Sequence, residues 1–396
     1  MTSHLMGVYN RAPLAVERGE GVRLWSREGT EYLDCVSGIS TNALGHANPI
    51  LIEALKAQAE KLWHVSNIFQ IPGQEELAAA LCDKSFADVV FFANSGTEAV
   101  ECAIKTARKY HHAKGAVERI DIYGFDGSFH GRTYGGINAA ANPNYTEGFG
   151  PPMEGFHQLV WGDKEALTKA FEAPTTAAII LEPVQGEGGC RATPEEDLRW
   201  MREMADKNGV LIIFDEVQCG MGRSGKLWAH EWAGMTPDIM AIAKALGGGF
   251  PIGACLATAE AAAGMTGGAH GSTFGGNPLA MAVGKAAFEQ VSSEAILQNV
   301  NDVAGYLKQQ LNGLAEQYPD IIVEVRGKGL LMGVKLKPNN RDFMGWARDE
   351  AKLLVAGGGD NLVRVLPPLN ITLEEAREVV EKFETACAYA RTQVQA

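Results

Sequence analysis

Between about residue 75 and residue 290 the chain alternates short, almost wholly apolar runs with longer stretches of helical spacing, and this alternation constrains the fold more than any other feature. The runs lie at 89–93, 120–124, 177–182, 210–215, 239–243 and 254–257. A strand with one wet face alternates apolar and polar residues, whereas a strand covered on both faces does not. Runs of this kind separated by helices predict a mostly parallel sheet with helices on both sides, an α/β fold. One helix can be read residue by residue. After Asn94-Ser-Gly-Thr97, the apolar positions Val100, Ala103, Ile104, Ala107 and Tyr110 form a single stripe behind a polar cap.

The flanks have a different pattern. Residues 15–25 alternate around glycines as a hairpin does, and Glu31-Tyr-Leu-Asp-Cys-Val36 follows another glycine turn. Beyond about 290 come a long amphipathic helix through 303–311, strands at 321–325 and 331–336, and a final helix from 374 to about 389. A chain of 396 residues exceeds one ordinary core. The expected division is 1–50, 51–290 and 291–396, with the large domain lying between the two halves of a small α+β domain. There is no repeat and no low-complexity segment.

A net charge of −13 argues against nucleic acid or an anionic membrane as partner, since either calls for a basic face. The seven cysteines are scattered without CxxC spacing, as expected of free thiols in a reducing compartment. No apolar run reaches membrane-spanning length, and Met1-Thr-Ser-His-Leu-Met-Gly-Val lacks the layout of a signal peptide, so a cytoplasmic protein is expected. The histidines show no metal-ligand spacing, and no metal is expected; His46, His130 and His270 read as structural or site-lining.

Chemistry gathers at the ends of the apolar runs. Asp215 closes one run and Lys244 follows the next, ahead of three glycines. Alone, the acid would read as a cap and the lysine as a solvated charge. An unpaired ammonium in so apolar a stretch is costly unless it is neutral or covalently used. Desolvation favours the neutral amine, the form that attacks an aldehyde. This pair is what pyridoxal phosphate chemistry requires: a lysine to carry the cofactor as an imine, and an acid to keep the pyridine nitrogen protonated. Asn94-Ser-Gly-Thr-Glu-Ala99 opens a helix, so its N–H groups can take a phosphate at Gly96 and Thr97, with Ser95 alongside. A plain capping box is the other reading. Gly220-Met-Gly-Arg-Ser-Gly-Lys226 nearly spells a nucleotide-binding loop, but Leu227 stands where that loop needs a hydroxyl.

These motifs occur together with Phe125-Asp-Gly-Ser-Phe-His-Gly-Arg-Thr133, Glu182-Pro-Val-Gln-Gly-Glu187, His270-Gly-Ser-Thr-Phe-Gly-Gly-Asn-Pro278 and Val363-Arg-Val-Leu-Pro-Pro-Leu369. In that order, and over nearly the whole chain, they resemble the class III (subgroup II) aminotransferases, and within them the acetylornithine aminotransferase family. The resemblance implies a fold-type-I transferase with a seven-stranded sheet and pyridoxal 5'-phosphate as cofactor. It implies that Phe129 stacks on the pyridine ring, Val217 covers the other face and Gln218 meets the phenolic oxygen. Arg132 would bind the substrate carboxylate, which a planar guanidinium suits. Ser272 would lie by the substrate and Thr273 would reach the phosphate of a neighbouring subunit's cofactor, in a homodimer with shared active sites. Arg364 would bind glutamate or 2-oxoglutarate, with Glu187 neutralising it for the other substrate.

The implied reaction is ping-pong through an imine of Lys244, with Lys244 and Asp215 as the catalytic pair. It converts N2-acetyl-L-ornithine and 2-oxoglutarate to N-acetyl-L-glutamate 5-semialdehyde and L-glutamate, a step of arginine biosynthesis. The chain departs from its relatives at Asn142 and Asn144, in the wall expected to meet the acyl group. Succinylornithine, succinyl-diaminopimelate, ornithine and 4-aminobutyrate therefore stay open as donors. The rivals are an aminomutase of the same fold and a non-catalytic regulator that binds the cofactor.

Overall fold

The structure is a computed structural model that describes residues 4–395; the first three residues of the stretch read for a signal peptide lie outside it. At its centre a seven-stranded sheet runs in the order Val89–Ala93, Gly253–Ala257, Ile239–Ile242, Leu211–Asp215, Thr176–Leu181, Asp121–Phe125, Phe156–Leu159. Only Gly253–Ala257 opposes its neighbours, and the other pairings are parallel. The mostly parallel α/β sheet is therefore as expected. Its inner strands Thr176–Leu181, Leu211–Asp215 and Ile239–Ile242 are buried at every residue, which is why they read as continuous apolar runs.

The apolar runs identify six of the seven strands, with ends displaced by at most a residue or so. The seventh, Phe156–Leu159, is a correction to that list. It lies at the sheet edge with His157 and Gln158 exposed, so it has no apolar run to recognise. The helix read at 97–110 spans Gly96–Ala113. Val100, Ala103, Ile104 and Ala107 are buried in the layer formed with Ile213, Ile239 and Cys255. Removing Ile104 to Ala would cost roughly 2–5 kcal/mol in so closed a site.

Strands from the two ends of the chain share one sheet. Val16–Glu20, Arg23–Ser26 and Glu31–Asp34 form an antiparallel meander, and Leu353–Leu354 adds to it in parallel. A separate antiparallel sheet holds Ile322–Lys328, Leu331–Leu336, Leu362–Val365 and Ala356–Gly358. The long helices Glu294–Gln317 and Leu373–Gln395 accompany it. The nucleotide-loop look-alike at 220–226 is a structural strut. Its buried Arg223 donates to the carbonyls of Leu330 and Pro367, tying this turn to the C-terminal part of the chain. All seven cysteines are free, and six are buried. Among the described residues no helix is long and apolar enough to cross a membrane.

Candidate active site

The parallel direction brings the C-terminal ends of six strands to one edge of the sheet, and the single reversed strand begins there. Ala241 pairs with Asp215 in parallel register, so Lys244, three residues on, sits at the neighbouring strand end. The crevice outside the carboxyl ends of such a sheet is where open α/β folds bind ligands. A cavity of about 450 Å³ lies there. Ser95, Gly96, Thr97, Phe129, Arg132, Asp215, Val217 and Lys244 line it, together with Thr41 and residues 249–252, which sequence reasoning missed.

Lys244 has a left-handed backbone, φ 40°, rare for a side chain with a Cβ and of the kind that collects at functional sites. Its amine makes no ion pair or hydrogen bond among the described residues, and the side chain keeps some accessible surface where it lines the cavity. Burial, and then the nearby Arg364 charge, pull its amine down to about 8 against the opposing carboxylates of Glu187, Asp215 and Glu182. A neutral, nucleophilic fraction therefore exists near neutral pH.

Buried Asp215 accepts from the Val217 N–H at 3.0 Å and pairs with His130 Nδ1 at 2.8 Å. Burial disfavours the His130 cation, but the hydrogen bond and charge of Asp215 outweigh it, and the net direction is upward. Glu182 lies beside this pair. Burial, and then the Asp215 charge, push its carboxyl up to about 7. Its two oxygens accept the N–H groups of Phe129 and Gly186, each at 3.0 Å, so it ties together two loops facing the site. The sequence carried a signal for Glu182, an acid directly after a wholly apolar run, as at Asp215. For the His130 partnership, 85 residues apart, it carried none.

The capping box expected at residues 94–99 is present. The Ser95 hydroxyl caps the helix by accepting from the Glu98 N–H, and the Glu98 carboxylate accepts from the Asn94 N–H. The N–H groups of Gly96 and Thr97 are left without a protein acceptor among the described residues. A Cβ at position 96 would come within 2.7 Å of the Val217 side chain, so the cradle needs glycine. Gln218 Nε2 and His130 Nε2 are also buried without a partner. Two free amides at the positive end of an 18-residue helix suit a phosphate, and an unpaired amine with a buried acid suits the rest of pyridoxal phosphate.

The remaining residues fall into three places. Among the described residues Arg132 has no carboxylate partner; its guanidinium lies 3.9 Å from the Tyr145 ring centroid and 5.5 Å from that of Phe129. Arg364 is buried, paired with Glu187 at 2.6 Å, and donates to Gln218 Oε1 at 3.3 Å, which brings these three together. Ser272 and Thr273 do not line the Lys244 cavity of the same chain. They line another with Asn94, Glu98 and His270, where the Ser272 hydroxyl accepts from Asn94 Nδ2 and the Gly275 N–H. The wall expected from Asn142 and Asn144 needs correcting. Asn142 caps a turn through the Asn144 N–H, Asn144 points to solvent, and neither lines the Lys244 cavity.

Residues 7–387 match the family profile of class-III aminotransferases. The chain is 69% identical over 394 residues to acetylornithine aminotransferase 2 of Caulobacter vibrioides, covering 99% of this chain and 97% of that one. It is 56% identical to acetylornithine aminotransferase of Brucella melitensis, over 96% and 94% of the two chains. Among solved structures, N-acetylornithine aminotransferase of Stenotrophomonas maltophilia aligns with a TM-score of 0.86 at 36% identity, covering 97% of this chain and 98% of that one. Ornithine aminotransferase of Toxoplasma gondii aligns at 0.94 with 29% identity, over 98% and 94%. With its lysine, acid and helix-end amides converging at the strand ends of this fold, the chain belongs to the class-III aminotransferases, enzymes that work with pyridoxal phosphate.

Proposed function

We propose that the protein transfers the side-chain amine of N2-acetyl-L-ornithine to 2-oxoglutarate, giving N-acetyl-L-glutamate 5-semialdehyde and L-glutamate. The observation that carries this reading is an unpaired, desolvated Lys244 next to the strand end of Asp215, in a cavity where Arg132 also lacks a partner. Relatives at 51–69% identity over nearly their full lengths bear the acetylornithine name, which favours this donor over ornithine or 4-aminobutyrate.

When bound, the cofactor supplies a carbonyl for the incoming amine and a ring that takes up the electron pair released at the substrate carbon. The protein does the rest. Gly96 and Thr97 N–H groups, with Ser95 shaping the turn, hold the phosphate, and Phe129 and Val217 confine the ring. Asp215, oriented by His130, keeps a proton on the ring nitrogen, and Gln218 serves the phenolic oxygen. Lys244, with its depressed basicity, would accept a proton from the amine-bearing substrate carbon and deliver it to the former aldehyde carbon of the cofactor, on the other side of the shared nitrogen. Arg132 grips the α-carboxylate of the donor. Glu187 neutralises Arg364 for that donor and yields when the second carboxylate of 2-oxoglutarate arrives.

We further propose a homodimer in which Ser272 and Thr273 complete a partner's site, since both line a cavity other than the Lys244 cavity of their own chain. A cytoplasmic setting, a place in arginine biosynthesis and a small domain built from 1–50 and 291–396 belong to the same reading. The test is the amine half-reaction followed by absorbance with acetylornithine, succinylornithine, ornithine and 4-aminobutyrate. Acetylornithine should react fastest, and turnover should require 2-oxoglutarate. Equal rates with ornithine refute the donor assignment, and turnover without a keto acid points to an aminomutase.

A further inference from the structure

Arg132 poses a physical problem. A partnerless arginine on an exposed loop has about 2 kcal/mol of rotamer entropy to lose before it can grip anything in a fixed geometry. Its guanidinium is nevertheless held against two rings, 3.9 Å from the Tyr145 centroid and 5.5 Å from that of Phe129. The two rings meet edge to face, 5.8 Å apart at 88°. A guanidinium donates in its own plane and stacks through its faces, so a ring on the face uses up no N–H. Stacking on Tyr145 therefore restricts Arg132 while leaving its donor edge open.

Local sequence delivers the ring. Left-handed Ala141 ends the helix Tyr134–Ala140. Asn142 then accepts from the Asn144 N–H at 3.0 Å, Pro143 starts the next turn, and the Tyr145 N–H returns to the Asn142 carbonyl at 2.8 Å. A four-residue turn has little stability of its own. The cap and the ring contacts hold it in place.

We propose that Tyr145 is a positioning residue that fixes Arg132 as the receptor for the substrate carboxylate, with Asn142 setting the turn that presents it. The proposal rests on Arg132 binding a carboxylate, and not on which acyl group the donor carries. Glutarate, a dicarboxylate with neither amine nor ketone, probes this without turnover. Its binding to the cofactor-loaded protein is measured by calorimetry, alongside KM and kcat for acetylornithine.

In Tyr145→Leu, glutarate should bind about 5- to 20-fold more weakly and KM should rise in parallel, with kcat within about twofold. Tyr145→Phe keeps the ring and should stay within about twofold of the parent, and Asn142→Ala should lose about 2- to 4-fold. Arg132→Ala should lose at least as much as Tyr145→Leu, and combining the two should add little. Unchanged glutarate affinity in Tyr145→Leu, a fully additive double variant, or an equal loss in Tyr145→Phe overturns the positioning role. Unchanged affinity in Arg132→Ala instead refutes the carboxylate-receptor assignment, and the positioning role falls with it. A slow amine half-reaction with acetylornithine, alongside intact glutarate effects, refutes only the choice of donor.

Discussion

Lys244 is placed where the folded protein disfavours its charge, so removing it should stabilise the apoprotein while abolishing aminotransfer. Its amine falls from an ordinary 10.5 to about 8, chiefly through burial. At about 1.36 kcal/mol for each tenfold, that is a penalty of about 3 kcal/mol on the charged form. The pH dependence follows from proton counting. Between about 8 and 10.5 the unfolded chain binds a proton that the folded chain does not, so wild-type stability rises with pH across that window. Below about 8 both states are protonated and the full penalty is present. Lys244→Ala lifts it. Lys244 faces a cavity, so the truncation forfeits little packing, and alanine bears the same left-handed backbone cost.

With about 2.1 cal/mol/K of unfolding entropy per residue over 396 residues, about 3 kcal/mol corresponds to about 4 °C in melting temperature. The assay is thermal melting of cofactor-free wild type and Lys244→Ala from pH 7 to pH 10. Cofactor must be absent, because a ligand that binds only the native state adds its own stabilisation. The variant should melt about 4 °C higher at pH 7, and the gap should close towards pH 10. A variant that melts at or below wild type at pH 7, or a gap independent of pH, would refute the desolvation argument. The same variant should still retain pyridoxal phosphate through Gly96 and Thr97, detectable by dialysis and absorbance; full aminotransfer activity in it would sink the assignment of Lys244.

Asp215→Asn removes the negative charge proposed to keep the ring nitrogen protonated and leaves His130 facing an amide, so kcat/KM should fall about 10²- to 10⁴-fold. A loss below tenfold in steady-state rates would contradict that role. Gly96→Ala forces a methyl against Val217 at the phosphate cradle, and cofactor release followed by absorbance should be at least about tenfold faster. Glu187→Gln leaves Arg364 uncompensated at all times. KM for acetylornithine should rise about 5- to 10-fold, with KM for 2-oxoglutarate unchanged or lower. A parallel rise in both would show that the pair does not discriminate the two substrates.

Legibility from sequence depended on how local the physics was. The inner strands were visible because burial on both faces leaves only apolar residues, and the edge strand Phe156–Leu159 was invisible because its exposed positions do not. The helix from Gly96 was visible through its period and cap. Asp215, Lys244 and the 94–97 turn carried signals of their own, an acid, an amine or an amide turn at the end of an apolar run. Asn142 misled for the opposite reason. Its side chain accepts from the Asn144 N–H and so caps a turn, and it does not line the Lys244 cavity.

Composition, periodicity and strand-end chemistry thus pointed to the α/β class, to the cofactor and to Lys244 as its proposed anchor. Each depends on a few neighbouring residues and on whether they face water. Only the tertiary structure decided which distant groups share the site. Packing paired His130 with Asp215, joined Gln218 to Arg364, set Glu182 across the loops of Phe129 and Gly186, and a capped turn brought Tyr145 onto Arg132. The reason is physical. A contact between residues tens of positions apart is set by how whole elements pack, and no local pattern in the chain records it.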